Sequence, residues 1–224
     1  MTFDEIMTEL HSLESERNRE GQARFGINTG HALGISVVNI RRIGRQAGNR
    51  KHELAAPLWS TSVHEARILA SIVEDPAAVT EEQMESWVRE FDSWDLCDQC
   101  CGNLFNKTAF GFSKAVEWSE REREFEKRAG FALMAYLTHV KRNSDEAFLM
   151  FLPIIRREAG DNRNFVKKAV NWALREIGKR SAGLNAAAIE TAQAIRTDAE
   201  AQGKGKGKWV ASDALRELTS EKVQ

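Results

Sequence analysis

Apolar residues recur every three or four positions along almost the whole of this chain, which is the spacing of an α-helix. The segment 164–180, NFVKKAVNWALREIGKR, carries one such stripe, formed by Val166, Ala169, Val170, Ala173, Leu174 and Ile177. No segment shows the strict apolar–polar alternation of a strand, and Ala, Leu, Glu and Arg, which favour helix, are abundant. The chain is therefore predicted to be all-α.

Capping residues place the ends of the predicted helices. Ser36 is predicted to begin one helix and Gly48 to end it, while Thr80 and Gln83 have the spacing of a capping box. The Gly-rich stretch 20–36 is predicted to be a long connection. The predicted helices are 3–18, 37–47, 51–60, 63–74, 81–91, 94–106, 110–118, 121–140, 145–158 beginning at Ser144, 164–180, 185–201 beginning at Asn185, and 208–219.

These helices form a string of antiparallel pairs, each about 35 to 45 residues long, with no exact sequence repeat. A single pair cannot bury its own apolar face, so the pairs are expected to stack into a curved solenoid with a concave surface. We expect one domain over residues 1–224, with a flexible basic loop at about 202–208 before the last helix.

Composition narrows the location of the protein. No run of about 18 apolar residues is present, so no membrane span is expected, and the charged start of the chain does not have the pattern of a signal peptide. The 3 cysteines lie together at 97–101, which argues against a disulfide framework and for a reducing cytoplasm.

Charge is balanced over the whole chain, with 32 Lys and Arg against 33 Asp and Glu, but it is unevenly distributed. Residues 74–98 hold nine acidic side chains and one basic one, whereas residues 154–180 hold eight basic side chains and three acidic ones. The second segment is therefore expected to present a local anion-binding surface.

The stretch SWDLCDQCCG contains all three cysteines, and three explanations compete for them. A zinc site needs about four ligands and a redox pair usually accompanies a βαβ unit, and neither context is present. Cys97, Cys100 and Cys101 instead fall in one apolar arc of a helix with Leu96 and Leu104, so core packing is the favoured prediction. Trp94 and Asp98 lie side by side at the edge of that arc, and Asp95, Gln99 and Asn103 are predicted on the far side.

Trp172 stands off the apolar stripe of segment 164–180 and shares a face with Lys168, Arg175 and Lys179. A neighbouring helix or the alkyl stems of lysines would cover such a ring in a structural role. Alternatively, an aromatic ring among cations suits contact with a nucleotide whose phosphates the cations hold.

Three of these blocks, in this order, resemble the alkylpurine DNA glycosylases built from HEAT-like helical repeats. The blocks are FDSWDLCD, EKRAG and NFVKKAVNWALREIGK, and ALGISVVNIRRIGR and LWSTSVHEARILA resemble the N-terminal repeats of that family. The similarity in order and spacing extends over most of the chain.

The resemblance implies a C-shaped solenoid that holds duplex DNA in a basic cleft and removes purines alkylated at N3 or N7 without flipping them into a pocket. It implies that Asp98 is the catalytic carboxylate and that Trp94 and Trp172 hold the backbone and sugar of the lesion nucleotide. Arg128 matches the arginine beside them, with Lys127 as the alternative register. Expected DNA contacts are Arg163, Lys167, Lys168, Arg175 and Lys179, and neither a metal nor a cofactor is expected.

The chemistry of the lesion agrees with this assignment. An alkylated purine already carries positive charge and leaves readily, so one carboxylate that stabilises the oxocarbenium-like sugar and positions water is sufficient. No lysine near Asp98 has the context of a Schiff-base nucleophile, so a monofunctional enzyme is expected. A solenoid that closes on DNA suits a monomer. Two alternatives are a helical-repeat protein that binds branched or damaged DNA without catalysis, and a protein-interaction scaffold.

Overall fold

The structure is a computed structural model that describes residues 1–201, 205–221 and 223. Throughout these residues the regular secondary structure is helical and no strand is present, which confirms the all-α prediction. The chain divides into two compact units, Met1–Ala109 and Phe110–Gln224, and each is described by itself. The single domain expected over residues 1–224 stays a prediction.

The first unit consists of short helices followed by one 3-10 turn. They are α1 (Phe3–Ser12), α2 (Glu16–Arg24), α3 (Val37–Ala47), α4 (His52–Ser60), α5 (His64–Val73), α6 (Glu81–Arg89), α7 (Trp94–Asn103) and the 3-10 turn Phe105–Lys107. Ser36 caps α3 by accepting a hydrogen bond from the Asn39 amide, and Gly48 ends it with a φ of 91°, as predicted.

Three predictions in this unit need correction. The single helix over 3–18 is two helices, because Ser15 accepts a hydrogen bond from the Asn18 amide and begins α2, which extends to Arg24 in the predicted connection. The helix that begins at Trp94 ends at Asn103 because Leu104 leaves the helical conformation. Only half of the capping box forms: Thr80 accepts from the Gln83 amide, but the side chain of Gln83 donates to Glu74.

Helix α5 is the centre of the first unit. Every residue from His64 to Ser71 is buried, and α3, α4 and α7 pack against this helix. Beside it, the indole rings of Trp59 and Trp87 stack with centroids 4.0 Å apart and Arg67 lies over the Trp59 ring. A helix buried on all sides must also bury its polar residues, so His64, Glu65, Arg67 and Ser71 each need a hydrogen-bond partner.

Glu65 is a completely buried carboxylate on α5 that binds the chain before α3. It accepts hydrogen bonds from the backbone amides of Leu33, Gly34 and Ile35 at 2.8, 2.8 and 3.0 Å. Gly34 has a φ of +78°, and a Cβ atom there would lie 2.2 Å from the Ser15 carbonyl oxygen. One side chain therefore satisfies three buried donors in a segment that makes no regular secondary structure.

The second unit contains the longer helices. They are α8 (Gly111–Ser119), α9 (Glu124–Leu137), α10 (Glu146–Leu149), α11 (Phe151–Glu158), α12 (Asn164–Arg180), α13 (Ala182–Ala201) and α14 (Lys208–Leu218). Segment 164–180 is helical over the predicted range. At Gly130 of α9 a Cβ atom would lie 2.4 Å from the Ser119 amide nitrogen, so only glycine permits this close approach to α8.

Three boundaries in the second unit differ from the predictions. The helix over 121–140 is shorter at both ends, and the one over 145–158 is two helices that meet at Met150, the first capped at Asp145 and not Ser144. Helix α13 begins at Ala182 because Ser181 accepts from the Leu184 amide. Asn185, the predicted first residue, instead donates to the carbonyls of Gly178 and Leu218.

A structural repeat is visible in this unit. Asn171 donates to Asp213 at 2.6 Å and Arg175 binds Glu217, and both pairs join α12 to α14 across 42 residues. This spacing lies within the predicted repeat of 35 to 45 residues and arises from equivalent helices that run side by side in the same direction.

No helix in the part of the chain that the structure describes is long and apolar enough to cross a membrane. Residues 202–204 of the predicted basic loop lie outside the described residues, and Gly205 and Gly207 after them have φ values of 61° and 86°.

Replacement of Glu65 by alanine is expected to lower the free energy of unfolding by about 3 kcal/mol or more, because three buried amides lose their acceptor. Urea unfolding followed by circular dichroism measures this change. The control is Glu53→Ala, which removes an exposed carboxylate from the same unit and is expected to have little effect. Equal stability of the two variants would contradict the role assigned to Glu65.

Candidate functional site

Trp94 and Asp98 lie one turn apart on α7, as the spacing predicted. Asp98 is buried with 9% of its surface exposed, and Trp94 is half-buried. The indole N–H of Trp94 donates to the carbonyl oxygen of Phe25 at 3.0 Å, so the ring is held against the end of α2. This arrangement places a carboxylate of low exposure directly beside an oriented aromatic ring.

The first turn of α7 is fixed by a buried pair that sequence analysis missed. His64 Nε2 lies 2.8 Å from Asp95 Oδ2, and Ser93 donates to the other oxygen of the same carboxylate at 2.9 Å. Asp95 was predicted on the far side of α7, but α5 packs there and His64 supplies the partner that makes burial of the carboxylate possible. The sequence offers one weak signal for this, a histidine at the start of an apolar helix.

The pKa of His64 is raised and the pKa of Asp95 is lowered. Burial alone lowers the pKa of His64, but the hydrogen bond and charge of Asp95, with the charges of Glu65 and Asp92, raise it above its ordinary value. Burial raises the pKa of Asp95, yet hydrogen bonds from His64, Ser93 and the Leu96 amide bring it below its ordinary value. His64 and Asp95 therefore form an ion pair that joins α5 to α7, three residues before Asp98.

The three cysteines pack in the core, as predicted. Cys97, Cys100 and Cys101 are thiols outside any disulfide and are fully buried, and burial raises the pKa of the Cys100 thiol well above its usual value. Among the described residues, no group of three or more His, Cys, Asp or Glu side chains is placed to hold a metal ion.

Phe25 is a second surface aromatic that sequence analysis missed. Its side chain is 72% exposed, and its carbonyl is the acceptor that holds Trp94. The nearby Asn28 side chain donates to Asp92 at 2.7 Å and links the loop after α2 to the residues before α7. The connection that precedes α3 therefore borders the Trp94–Asp98 face.

In the second unit, Arg128 and Trp172 both lie where α9 packs against α12. Arg128 is buried and its Nη1 donates to the carbonyl oxygen of Phe165 at 2.6 Å. Lys127, the alternative register, instead forms ion pairs with Glu158 and Asp161. These contacts favour Arg128 as the residue of the pair that faces α12.

Trp172 is half-buried on α12. Its ring meets Tyr136 of α9 edge to face, with centroids 4.9 Å apart and an angle of 85°. The neighbouring helix thus covers part of the ring, in line with the structural alternative, while part of it stays accessible. Arg128 of α9 contacts α12 at Phe165, and Trp172 of α12 contacts α9 at Tyr136. These two contacts lie about two helical turns apart along the helix pair.

Most of the cations predicted to contact DNA are engaged with carboxylates of the same unit. Arg163 is bound to Asp161, Arg175 to Glu217, and Lys179 to Glu176 and Glu217 at 2.6 and 2.9 Å. Glu217 of α14 thus binds two of these cations, while Asp161 and Glu176, which lie within 154–180 itself, bind Arg163 and Lys179.

The two remaining lysines of that prediction differ from the paired cations. The ammonium of Lys167 lies 5.2 Å from the centre of the Trp209 ring. Lys168 is exposed and forms no ion pair with any residue that the structure describes. Of the predicted contacts, Lys168 is thus the one most open to a phosphate.

Comparison with known proteins extends over most of the chain. Residues 6–218 match the family described as DNA alkylation repair enzyme. The chain is 25% identical over 198 residues to the uncharacterized protein Lin0241 of Listeria innocua and 23% identical to Lmo0209 of Listeria monocytogenes, covering 87% of each chain.

A solved structure has a similar fold, with a TM-score of 0.77 and 22% identity, over 87% of this chain and 83% of the other. It comes from a new family of proteins related to the HEAT-like repeat DNA glycosylases with affinity for branched DNA structures. The HEAT-like fold class predicted from the sequence is thereby confirmed.

Replacement of His64 by glutamine is expected to lower stability by about 3 kcal/mol near pH 5, because it leaves the buried Asp95 carboxylate without its charged partner. The raised pKa of His64 means that its contribution is complete below pH 6.5 and is lost as the pH rises through the folded value. The lowered pKa of Asp95 means that its contribution is present above pH 3.8 and is lost in stronger acid. The difference from the unsubstituted protein should therefore be largest between these values, and it should shrink as the pH rises through the raised pKa of folded His64.

Urea unfolding at a series of pH values measures this difference. The control is His139→Gln, which alters an exposed histidine 3.2 Å from Glu176 and should change stability little. A stability loss for His64→Gln that is the same at every pH would refute the ion pair.

Proposed function

The chain belongs to the DNA alkylation repair enzyme family, and from that premise we propose that it is a monofunctional DNA glycosylase. Its substrate is duplex DNA that contains cationic purines alkylated at N3 or N7, and it hydrolyses the N-glycosidic bond. The observation that carries this proposal is the buried Asp98 carboxylate, one turn after the oriented Trp94 on α7.

Asp98 supplies the chemistry in this proposal. The alkylated base is already a good leaving group, so the enzyme needs no strong general acid for it. As the bond breaks, positive charge develops on the sugar, and a carboxylate stabilises that charge more strongly at a site of low exposure than in water. The same carboxylate orients the attacking water.

The aromatic and cationic residues position the lesion nucleotide. The Trp94 ring, fixed by its bond to Phe25, contributes about 0.5 to 2 kcal/mol to a cation that faces it. Trp172 and Arg128 hold the sugar and backbone of the lesion nucleotide, which is the role that the family resemblance implies. Both are held in place by α9 and α12 contacts within their own unit.

Phosphate contacts come from α12 in part. Lys168 is available directly, and Lys167 reaches phosphate from above the Trp209 ring. Arg163, Arg175 and Lys179 contribute only when phosphate replaces their present carboxylate partners, which reduces the net gain of each contact. We further propose a monomer that acts in the cytoplasm, where free buried cysteines stay reduced.

Binding of branched DNA without catalysis is the second candidate function. The similar solved structure belongs to a family with affinity for branched DNA structures, and this observation favours the candidate. Such a protein needs no buried carboxylate beside the DNA. Strong preference for a four-way junction in a gel-shift experiment, together with no base release, would support it over the glycosylase.

Asp98→Asn is expected to reduce release of 7-methylguanine and 3-methyladenine from alkylated duplex DNA by at least about 100-fold, because the amide cannot stabilise the cationic sugar. Chromatography of the released bases measures the rate. The matched control is Asp92→Asn, the same change at an exposed position six residues earlier, and it should keep most of the activity. Undiminished release by Asp98→Asn, with a normal unfolding midpoint, would refute the assignment.

No strand cleavage is expected on an abasic duplex. The competing residue in the first unit is Lys107, whose pKa burial lowers, because desolvated lysines can act as Schiff-base nucleophiles. Its ammonium instead donates to the carbonyl of Asn103 at the end of α7, which indicates a capping role. Denaturing electrophoresis of an abasic strand measures cleavage, and efficient cleavage that Lys107→Met abolishes would contradict a monofunctional enzyme.

A further inference from the structure

The outward face of α3 carries two arginines that have no acidic partner. Arg41 and Arg45 are exposed and four residues apart, while Ile40, Ile43 and Gly44 on the opposite face are buried. Within the part of the chain that the structure describes, neither arginine forms an ion pair. We call these two residues the α3 arginine pair.

The contrast with other arginines of the first unit is informative. Arg42, between the two, binds Glu9 at 2.8 Å, and Arg67 binds Glu90. Acidic side chains are abundant in this unit, since nine of them lie in 74–98 alone. An exposed arginine four residues from another, without a carboxylate near either, therefore concentrates positive charge at one place.

The α3 arginine pair lies next to the helix that carries the candidate site. The guanidinium of Arg41 donates to the side-chain oxygen of Gln99 at 3.4 Å, and Gln99 directly follows Asp98 on α7. Asn103 donates to the same oxygen at 3.3 Å, so the contact belongs to a defined polar face of α7. The positive charge on α3 is thus adjacent to α7 within a single compact unit.

Two further arginines are exposed on α2. Arg17 and Arg24 are exposed, seven residues apart, and form no ion pair with described residues. Together with Glu20 and the backbone that begins α3 they line a hollow of about 460 Å³. Arg24 directly precedes Phe25, whose carbonyl holds Trp94, so cations border α7 through both Gln99 and Trp94.

We infer that the α3 arginine pair binds two phosphates of the DNA backbone beside the lesion and is a principal electrostatic contact of the protein. Four helical residues rise about 6 Å, and phosphates of one strand repeat every ~3.4 Å along the duplex axis, so the pair can hold separate phosphates. The planar guanidinium suits bidentate phosphate contact. This inference rests on the proposed function only for the identity of the substrate as DNA.

The experiment compares two double variants that remove equal charge from two helices. Arg41→Gln with Arg45→Gln removes the α3 arginine pair, and Arg175→Gln with Lys179→Gln removes two cations of α12 that already have carboxylate partners. Fluorescence anisotropy measures binding to an undamaged duplex between 50 and 200 mM salt, conditions in which about 0.9 of a counterion is released per phosphate contact. The plot of log affinity against log salt should have a slope shallower by roughly 1.8 for the α3 variant than for the unsubstituted protein. The ratio of the two affinities should therefore change roughly twelve-fold between 50 and 200 mM salt.

The α12 variant should lose less slope than the α3 variant, because its two cations must first give up their carboxylate partners to hold phosphate. A larger loss of slope in the α12 variant than in the α3 variant, or no change in the α3 variant when its unfolding midpoint is normal, would overturn the inference. Binding of undamaged duplex is separate from base release, so the two proposals fail independently. A protein that binds through α3 but releases no base keeps this inference and loses the glycosylase. If the α3 variant releases base at the full rate and binds with an unchanged slope, the glycosylase proposal stands and this inference fails.

Discussion

The carboxylate of Glu65 is the interaction on which the arrangement of the first unit depends. It binds three consecutive backbone amides of the segment that enters α3, and the adjacent residue, His64, binds Asp95 at the start of α7. Two neighbouring side chains at the start of α5 therefore fix the helices on both sides of it. Both are polar groups with almost no exposure, so each tolerates burial only because its partners are present. Loosening either contact would alter the face on which Trp94 and Asp98 lie.

Local signals in the sequence predicted much of the fold. Apolar spacing over 164–180 and the caps Ser36 and Gly48 depend on residues a few positions apart, and the structure agrees with them. The failures arise from contacts between distant residues. A second helix begins at Ser15 inside the predicted helix 3–18, at the point where Gly34 lets the later chain pass close to the Ser15 backbone, and Asp95 is buried because His64 lies 31 residues earlier on α5. Neither contact has a local pattern that reveals it.

The candidate site shows the same division. Helical periodicity predicted that Trp94 and Asp98 lie side by side, and α7 places them one turn apart. Periodicity also set Trp172 off its apolar stripe, but only the resemblance to a family added Arg128 and gave the four residues their expected roles. Counting charges along the sequence drew attention to α12, yet acids 42 residues later on α14 neutralise Arg175, and Lys179 shares the same partner Glu217. Residues 21–52 hold six Lys and Arg side chains and no Asp or Glu, so a local count also indicates the α3 arginines. Only the fold shows that Arg42 among them binds Glu9, while Arg41 and Arg45 form no ion pair with described residues. Surface charge is thus a property of the fold more than of any segment.

The three cysteines carry a further consequence. The thiolate is the nucleophilic form of cysteine, so an accessible, ionised cysteine is open to alkylation and oxidation. Cys97, Cys100 and Cys101 present no accessible sulfur, and the raised pKa of Cys100 keeps its thiol protonated. Their position on the inner side of α7 therefore protects this side of the helix that bears Asp98 from reaction with electrophiles.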